Sequence, residues 1–176
     1  MKNELRLQPI RAADVDHVMT WVNDSEVIKN FQHFGRRFTR KEELAFIRKL
    51  LKDGTNATFS IFRRKDGVYV GQCAINQISW ENRLGRVALI IARERWGHGY
   101  AQQAMELLLK HAFRKLKLNK VWGMVYASNK KGLHVDLKIG FKIEGRLSEE
   151  YFWRGRYHDI VRIGMLRSDF ARRKLR

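Results

Sequence analysis

The sequence predicts a mixed α/β (α+β) domain built round one twisted sheet, and three observations carry that expectation. Short apolar runs of strand length recur from Leu5 to Met165, separated by segments whose apolar residues fall at helical spacing. The chain has 176 residues, a length that suits one domain. A single proline and no Gly/Ser-rich stretch leave no linker, so one domain is expected over 1–176, with a basic tail from about residue 168.

Taken in order, Leu5, Leu7 and Pro9 alternate with Arg6 and Gln8 in an opening strand. Asp14 stands where it can cap a helix carrying Val15, Val18, Met19 and Val22. Asn23-Asp24-Ser25 breaks that pattern, and a second short helix or turn carries Val27 to Phe31. Thr39 followed by Glu42 reads as a capping box, opening a helix through Leu44, Phe46-Ile47 and Leu50-Leu51 that Asp53-Gly54 ends. Strands 57–62 and 68–78 flank the hairpin turn Lys65-Asp66-Gly67. A further apolar strand, 85–92, is reached through Trp80-Glu81-Asn82-Arg83.

A Gly-rich loop then leads straight into a long helix, 100–116, with Ala101, Ala104, Met105, Leu108, Ala112 and Leu116 on one face. Lys120–Tyr126 is the next strand, and Lys130–Ile139 a short helix ended by Gly140. Phe141, Ile143, Gly145 and Leu147 alternate with charges on a strand. After the turn Trp153-Arg154-Gly155, a last strand carries Val161, Ile163 and Met165.

Composition narrows the classes of function. A hydrophobic content of 44%, with 10 Phe and 5 Trp, supplies a core, and no segment reaches the ~20 apolar residues of a membrane span. The N-terminal residues show no signal-peptide pattern. A lone Cys73 in an apolar run excludes an intrachain disulfide and fits a reducing cytoplasm. Thirty-six Lys and Arg against 18 Asp and Glu give +18, a surface that attracts polyanions such as RNA or the phosphates of a coenzyme. The charge is dispersed, densest at Arg36-Arg37 with Arg40-Lys41, at Arg63-Arg64-Lys65 and in the tail. Neither an RNP-like aromatic motif nor a Cys/His metal pattern accompanies it.

The loop Arg95-Trp96-Gly97-His98-Gly99-Tyr100-Ala101 carries the chemistry. Two glycines between a strand and a helix let the backbone approach a ligand, and the first N–H groups of the helix point at it. A pyrophosphate is the natural guest, with Arg93, Arg95 and His98 beside it. A ligand-free turn is the alternative. Gln102 stands where a Rossmann fingerprint needs a third small residue, and the Gly-Lys-Ser/Thr of a P-loop is absent.

Strand, loop and helix together resemble the acetyl-CoA motif of the GNAT acetyltransferases, Gln/Arg-x-x-Gly-x-Gly/Ala, with Trp96, Gly99 and Ala101 at its fixed positions. The tryptophan followed by Gly-x-Gly-Tyr-Ala is similar to the branch holding the RimJ/RimL-type ribosomal-protein and spermidine acetyltransferases. Asn129, the short helix, Gly140-Phe141 and Gly145 supply a second family motif, and the likeness covers about residues 5–167. It implies a mostly antiparallel sheet, splayed where acetyl-CoA enters and flanked by helices. It also implies that backbone amides of Leu89, Ile90 and Ile91 receive the acetyl and pantetheine groups. Residues Arg95, Trp96, Gly97, His98, Gly99, Tyr100 and Ala101 would cradle the pyrophosphate, and Asn129 would touch the pantetheine. No metal is implied.

The implied reaction is direct attack of a primary amine on the acetyl thioester. An alkylamine with pKa near ~10.4 is about one part in a thousand neutral at pH 7, so a base must take its proton. The resemblance puts Asp136 where the family often carries a thiolate-protonating tyrosine, and Arg86 where it often carries a base-like glutamate. Asp136, Glu81 and Tyr126 are the candidate catalytic residues, with Asp24 and Glu26 as further bases and His134 and His158 as neutral-pH alternatives. Cys73 reads as core. The expected acceptor is a protein N-terminal amine or a nucleotide-linked amino sugar, ahead of a polyamine that a +18 protein repels unless it keeps an acidic pocket. Ribosome or RNA contact and a homodimer are expected partners, with no membrane. The alternative is a non-catalytic module that senses CoA or binds RNA or the ribosome.

Overall fold

The computed structural model describes residues 3–29, 31, 36–153 and 155–173. One seven-stranded sheet has the order β1-β2-β3-β4-β5-β7-β6. Its strands are β1 (Leu5–Pro9), β2 (Ala57–Arg63), β3 (Tyr69–Ser79), β4 (Leu84–Ile91), β5 (Lys120–Tyr126), β6 (Lys142–Trp153) and β7 (Arg156–Leu166). Every neighbouring pair is antiparallel except β4 with β5, which the crossover through helix α4 (Tyr100–Lys110) makes parallel.

Two apolar clusters lie on opposite faces of the sheet. On one, α4 sets Tyr100, Ala104, Met105, Leu108 and Leu109 against Ile61, Ile75, Val87 and Val121, joined by Ile139 of α5 (Lys130–Ile139). On the other, α1 (Val15–Met19), α2 (Ser25–Ile28) and α3 (Arg40–Leu50) put Val15, Val18, Val27 and Ile47 with Trp21 and Val22 over Phe62, Tyr69 and Ile90. No helix of the described residues is long and apolar enough to cross a membrane.

Local rules account for most elements. Thr39 accepts from the Glu42 N–H while Glu42 accepts from the Thr39 N–H, which is the capping box read from the sequence. Gly140 closes α5 at φ 108°, a left-handed conformation that glycine reaches without Cβ strain. At Gly71 the need is space: a Cβ there would fall inside contact distance of the Ile90 carbonyl.

Three expectations are corrected and a fourth is filled in. Asp14 does not cap α1; it lies buried, accepting from the Arg11 N–H at 3.0 Å and the Ser60 hydroxyl at 2.8 Å, which ties the first turn to β2. The helix after the loop is α-helical only to Lys110 and widens into a π-turn at His111–Lys115. Strand β6 runs on to Trp153, past the expected end of its pattern. Part of the expected tail is helix α6 (Arg167–Arg172), held by Phe170 against Phe113 at 5.1 Å and by an ion pair of Arg173 with Glu106. The rest of that tail, 174–176, and Arg154 of the expected turn lie outside the described residues.

Candidate functional site

The parallel pair β4 and β5 is joined only at its start. Leu84, Gly85 and Arg86 pair with Lys120, Val121 and Trp122; from Val87 and Gly123 onward the two strands part. Each keeps its outer neighbour, β4 with β3 through Ile91 and β5 with β7 through Tyr126. The result is a wedge-shaped gap whose inner backbone groups have no strand partner.

Alternation in the antiparallel β3–β4 ladder tells which groups face that gap. The Ala92 N–H donates to the Val70 carbonyl at 2.9 Å, so Ile90 and Ala88 also turn their backbone groups toward β3. Val87, Leu89 and Ile91 therefore face the gap. This divides the three expected amides: Leu89 and Ile91 are available, whereas Ile90 is turned into the ladder opposite Gln72.

Beyond Ile91 the chain makes a 3-10 turn at Arg93–Arg95 and then the loop. The Trp96 indole N–H donates to the Ile91 carbonyl at 2.8 Å, folding the loop back on the strand end. Gly97 and Gly99 take φ 83° and 70°, and Gly99 leads directly into α4 with its N–H groups unblocked by a cap side chain. At Gly99 a Cβ would meet no protein atom within 4 Å, so what the fold itself asks of this glycine is the positive φ. His98 stacks on Tyr100 at 5.3 Å, and the Tyr100 hydroxyl accepts from Arg63 at 3.2 Å. Arg93 and His98 are exposed here, and Arg95 and Ala101 are half-buried. Across the gap, the Asn129 carboxamide oxygen caps α5 by accepting from the Gly132 N–H at 3.0 Å.

The wedge, the left-handed turn and the open helix end together fit an acyl chain followed by a pyrophosphate. Among the described residues no group of His, Cys, Asp and Glu is arranged to hold a metal.

On the side of the sheet under α1 and α3 lies a cleft of about 690 Å³. Its floor carries Thr58, Gln72, Ala74, Asn76, Arg86 and Ala88, and its wall Glu42, Glu43, Phe46 and Ile47. Glu43 is 6% exposed, and among the described residues its carboxylate makes no hydrogen bond or ion pair. Burial raises its pKa above the usual carboxylate value, and the Glu42 charge adds to the rise. Glu42 behaves oppositely: its bonds to Thr39 and to Arg36 hold it at about 2. The buried Thr58 hydroxyl and Gln72 carbonyl oxygens also lack partners. Neither Glu43 nor these two acceptors stood out in the sequence. A Glu-Glu pair inside an amphipathic helix is ordinarily solvated, and only the packing of α3 over β2 and β3 buries one of the two.

The sequence candidates for catalysis separate. Asp136, on α5, is half-buried, makes no side-chain bond, and is pushed up to about 7 by desolvation. Tyr126 ends β5 with its hydroxyl buried and unpartnered, between the ring edges of Tyr151 at 5.9 Å and His158 at 5.4 Å; burial pushes it up to about 12. Glu81 is exposed in the turn before β4, at the end where β4 and β5 are still paired, and five residues of strand, about 16 Å, separate Leu84 from Leu89. Asp24 caps α2 and faces Arg93 at 3.9 Å, and Glu26 is paired with Lys29 at 2.6 Å. Cys73 is buried, with its thiol pKa raised by desolvation, as a core residue should be.

Comparison with known proteins identifies the family and the fold. A family model described as an acetyltransferase (GNAT) domain matches residues 4–142. The spermidine N(1)-acetyltransferase of Vibrio cholerae is 28% identical over 98% of this chain and 99% of its own. A putative ribosomal N-acetyltransferase of Bacillus subtilis, YdaF, is 29% identical over 62% of this chain and 60% of its own. The crystal structure of the Vibrio cholerae spermidine enzyme in complex with CoA and spermine superposes with a TM-score of 0.89, at 25% identity, covering 96% of this chain and 98% of that one.

Proposed function

Since the chain belongs to the GNAT acetyltransferase family and takes its acetyl group from acetyl-CoA, we propose that its acceptor is a primary amine bound in the cleft against Glu43. One observation carries this reading: Glu43, only 6% exposed, has no partner for its carboxylate among the described residues, in a protein with twice as many cationic as anionic side chains. An uncompensated buried charge is expensive, and an ammonium group relieves it. Thr58 and Gln72 add two acceptors without donors, which suits the N–H groups of the same guest.

Acetyl-CoA supplies an activated acyl group at the gap. The chain's own residues do the rest. Leu89 and Ile91 offer backbone N–H groups toward the acyl oxygen, where charge develops. Glu43, raised in pKa, takes the amine proton directly or through water. Asp136, titrating near neutrality, is matched to returning a proton to the leaving thiolate.

The cleft is not uniformly acidic, since Arg36, Lys49 and Arg86 also line it. That mixture favours an acceptor carrying negative groups beside its amine, such as a nucleotide-linked amino sugar or a protein N-terminus. A polyamine is the second reading, favoured by the unpaired Glu43 and by the spermidine enzymes among the relatives.

Thiol release from acetyl-CoA, measured over these acceptor classes, tests the reading. Turnover of an amine should fall by about a hundredfold in Glu43→Gln with CoA affinity intact. Undiminished turnover in that variant would remove Glu43 from the reaction.

A further inference from the structure

Strand β3 is irregular where it floors the cleft. Its ladder with β4 shifts by one residue between Asn76, opposite Arg86, and Ser79, opposite Leu84. The extra residue makes a β-bulge, and Gln77 stands in it at φ 51°. That is a left-handed conformation, which glycine adopts without strain and a residue with a Cβ does not.

The bulge changes which side chains share a face. Ile75 and Ile78 both belong to the core under α4, although three positions separate them and same-face residues of a regular strand lie an even number apart. Asn76 and Gln77, consecutive in sequence, are thereby presented together on the other side, and both line the cleft. Gln77 is exposed and Asn76 half-buried, and among the described residues neither carboxamide makes a hydrogen bond. A glycine would fill the bulge at lower cost, so what the position gains from glutamine is its carboxamide.

The chemistry of the pair points to its ligand. Each carboxamide carries N–H donors and a carbonyl acceptor, the complement of a peptide group. A phosphate would use the donors alone and an ammonium the acceptors alone. Across the cleft, Phe46 and Leu50 stand one turn apart on α3, with Phe46 52% exposed, an apolar wall facing the amide floor. The spacing fits too. Cys73 lies opposite Leu89, whose N–H is offered to the acyl oxygen, and Asn76 is three residues further along β3, about 10 Å. An extended peptide spans that distance with about three residues.

We infer that Asn76 and Gln77 form a main-chain clamp for a peptide acceptor, holding a peptide group about three residues behind the reacting N-terminal amine. The inference rests on the cleft being the acceptor site, and it narrows the acceptor to a protein N-terminus, since a small amine ends short of the clamp.

A length series of C-terminally amidated alanine peptides, from one residue to five, tests it by thiol release from acetyl-CoA. KM should fall about tenfold as the chain passes three residues, at similar kcat, and stay level beyond. Gln77→Gly should erase that step with a melting temperature at or above wild type, because glycine suits the bulge. Asn76→Leu, of similar volume, should reduce the step several-fold, and neither variant should change KM for alanine amide. Calorimetric titration of the same peptides into the CoA-loaded protein reads the step without turnover. A flat series, or a step that both variants leave in place, overturns the clamp. Acetylation of amines that depends on Glu43 but not on peptide length refutes the clamp and leaves the acceptor cleft standing. A length step that persists undiminished in Glu43→Gln removes Glu43 and supports the clamp. Peptides that neither bind nor react refute the clamp outright.

Discussion

Replacing Asp136 by asparagine should stabilise the protein above neutral pH and leave it nearly unchanged in acid. Its carboxyl moves from an ordinary 3.8 to about 7 because burial disfavours the charged form. Between those values the folded chain holds a proton that the unfolded chain has lost, so stability falls as pH rises through that window. The interval is about three decades of proton concentration, each worth about 1.36 kcal/mol, which sets a ceiling of about 4 kcal/mol. The side chain is only half-buried, and solvent relaxation brings the expectation nearer 2 kcal/mol. Urea denaturation of both proteins at about pH 4 and about pH 8.5 reads the difference. In melts it corresponds to about 4–8 °C at the higher pH. The same variant should lose about a hundredfold in kcat if Asp136 protonates the thiolate, and wild-type kcat should decline as pH passes 7. Parallel stability curves would refute the burial argument. A stabilised variant with full kcat would leave the carboxyl strained but idle.

Gly99→Val should reduce CoA affinity by at least about a hundredfold in calorimetry, because φ 70° is closed to a β-branched residue and the turn must re-form. Gly99→Asn, which tolerates that region, should keep most of the affinity. Gly71→Ala should destabilise by about 3 kcal/mol in urea, since its Cβ meets the Ile90 carbonyl and only strand movement relieves it. Thr39→Ala should lose about 1 kcal/mol through the capping box, with no effect on CoA binding.

What the sequence disclosed was mostly what is local. The Thr39–Glu42 box, the Gly97-His98-Gly99 turn and the Gly140 stop each depend on residues within a few positions of one another. The unequal splay of β4 and β5 came from family resemblance, because nothing in 84–91 or 120–126 alone says where pairing stops. The π-turn after Lys110 and the docking of Phe170 escaped for a different reason. Both answer to packing against Phe113 and its neighbours, and apolar spacing in 100–116 is compatible with an unbroken α-helix. Glu43 was the largest omission within the site. Its burial comes with the packing of α3 over the sheet, where the cleft residues Thr58, Gln72 and Ala74 lie 15 to 31 residues further along the chain.

The bond from the Trp96 indole to the Ile91 carbonyl bears on why a tryptophan stands in the loop at all. A strand that ends unpaired leaves an acceptor at the rim of the gap, facing the same space as the donors of Leu89 and Ile91. By occupying that carbonyl, the indole removes one acceptor from the end of the gap, beside the Ile91 N–H. Gln and Arg, the residues of the motif at this position, also end in N–H groups. The position thus reads as an electrostatic filter rather than a packing site: it accepts any side chain that silences one oxygen, and rejects an aromatic of the same bulk without a hydrogen to give.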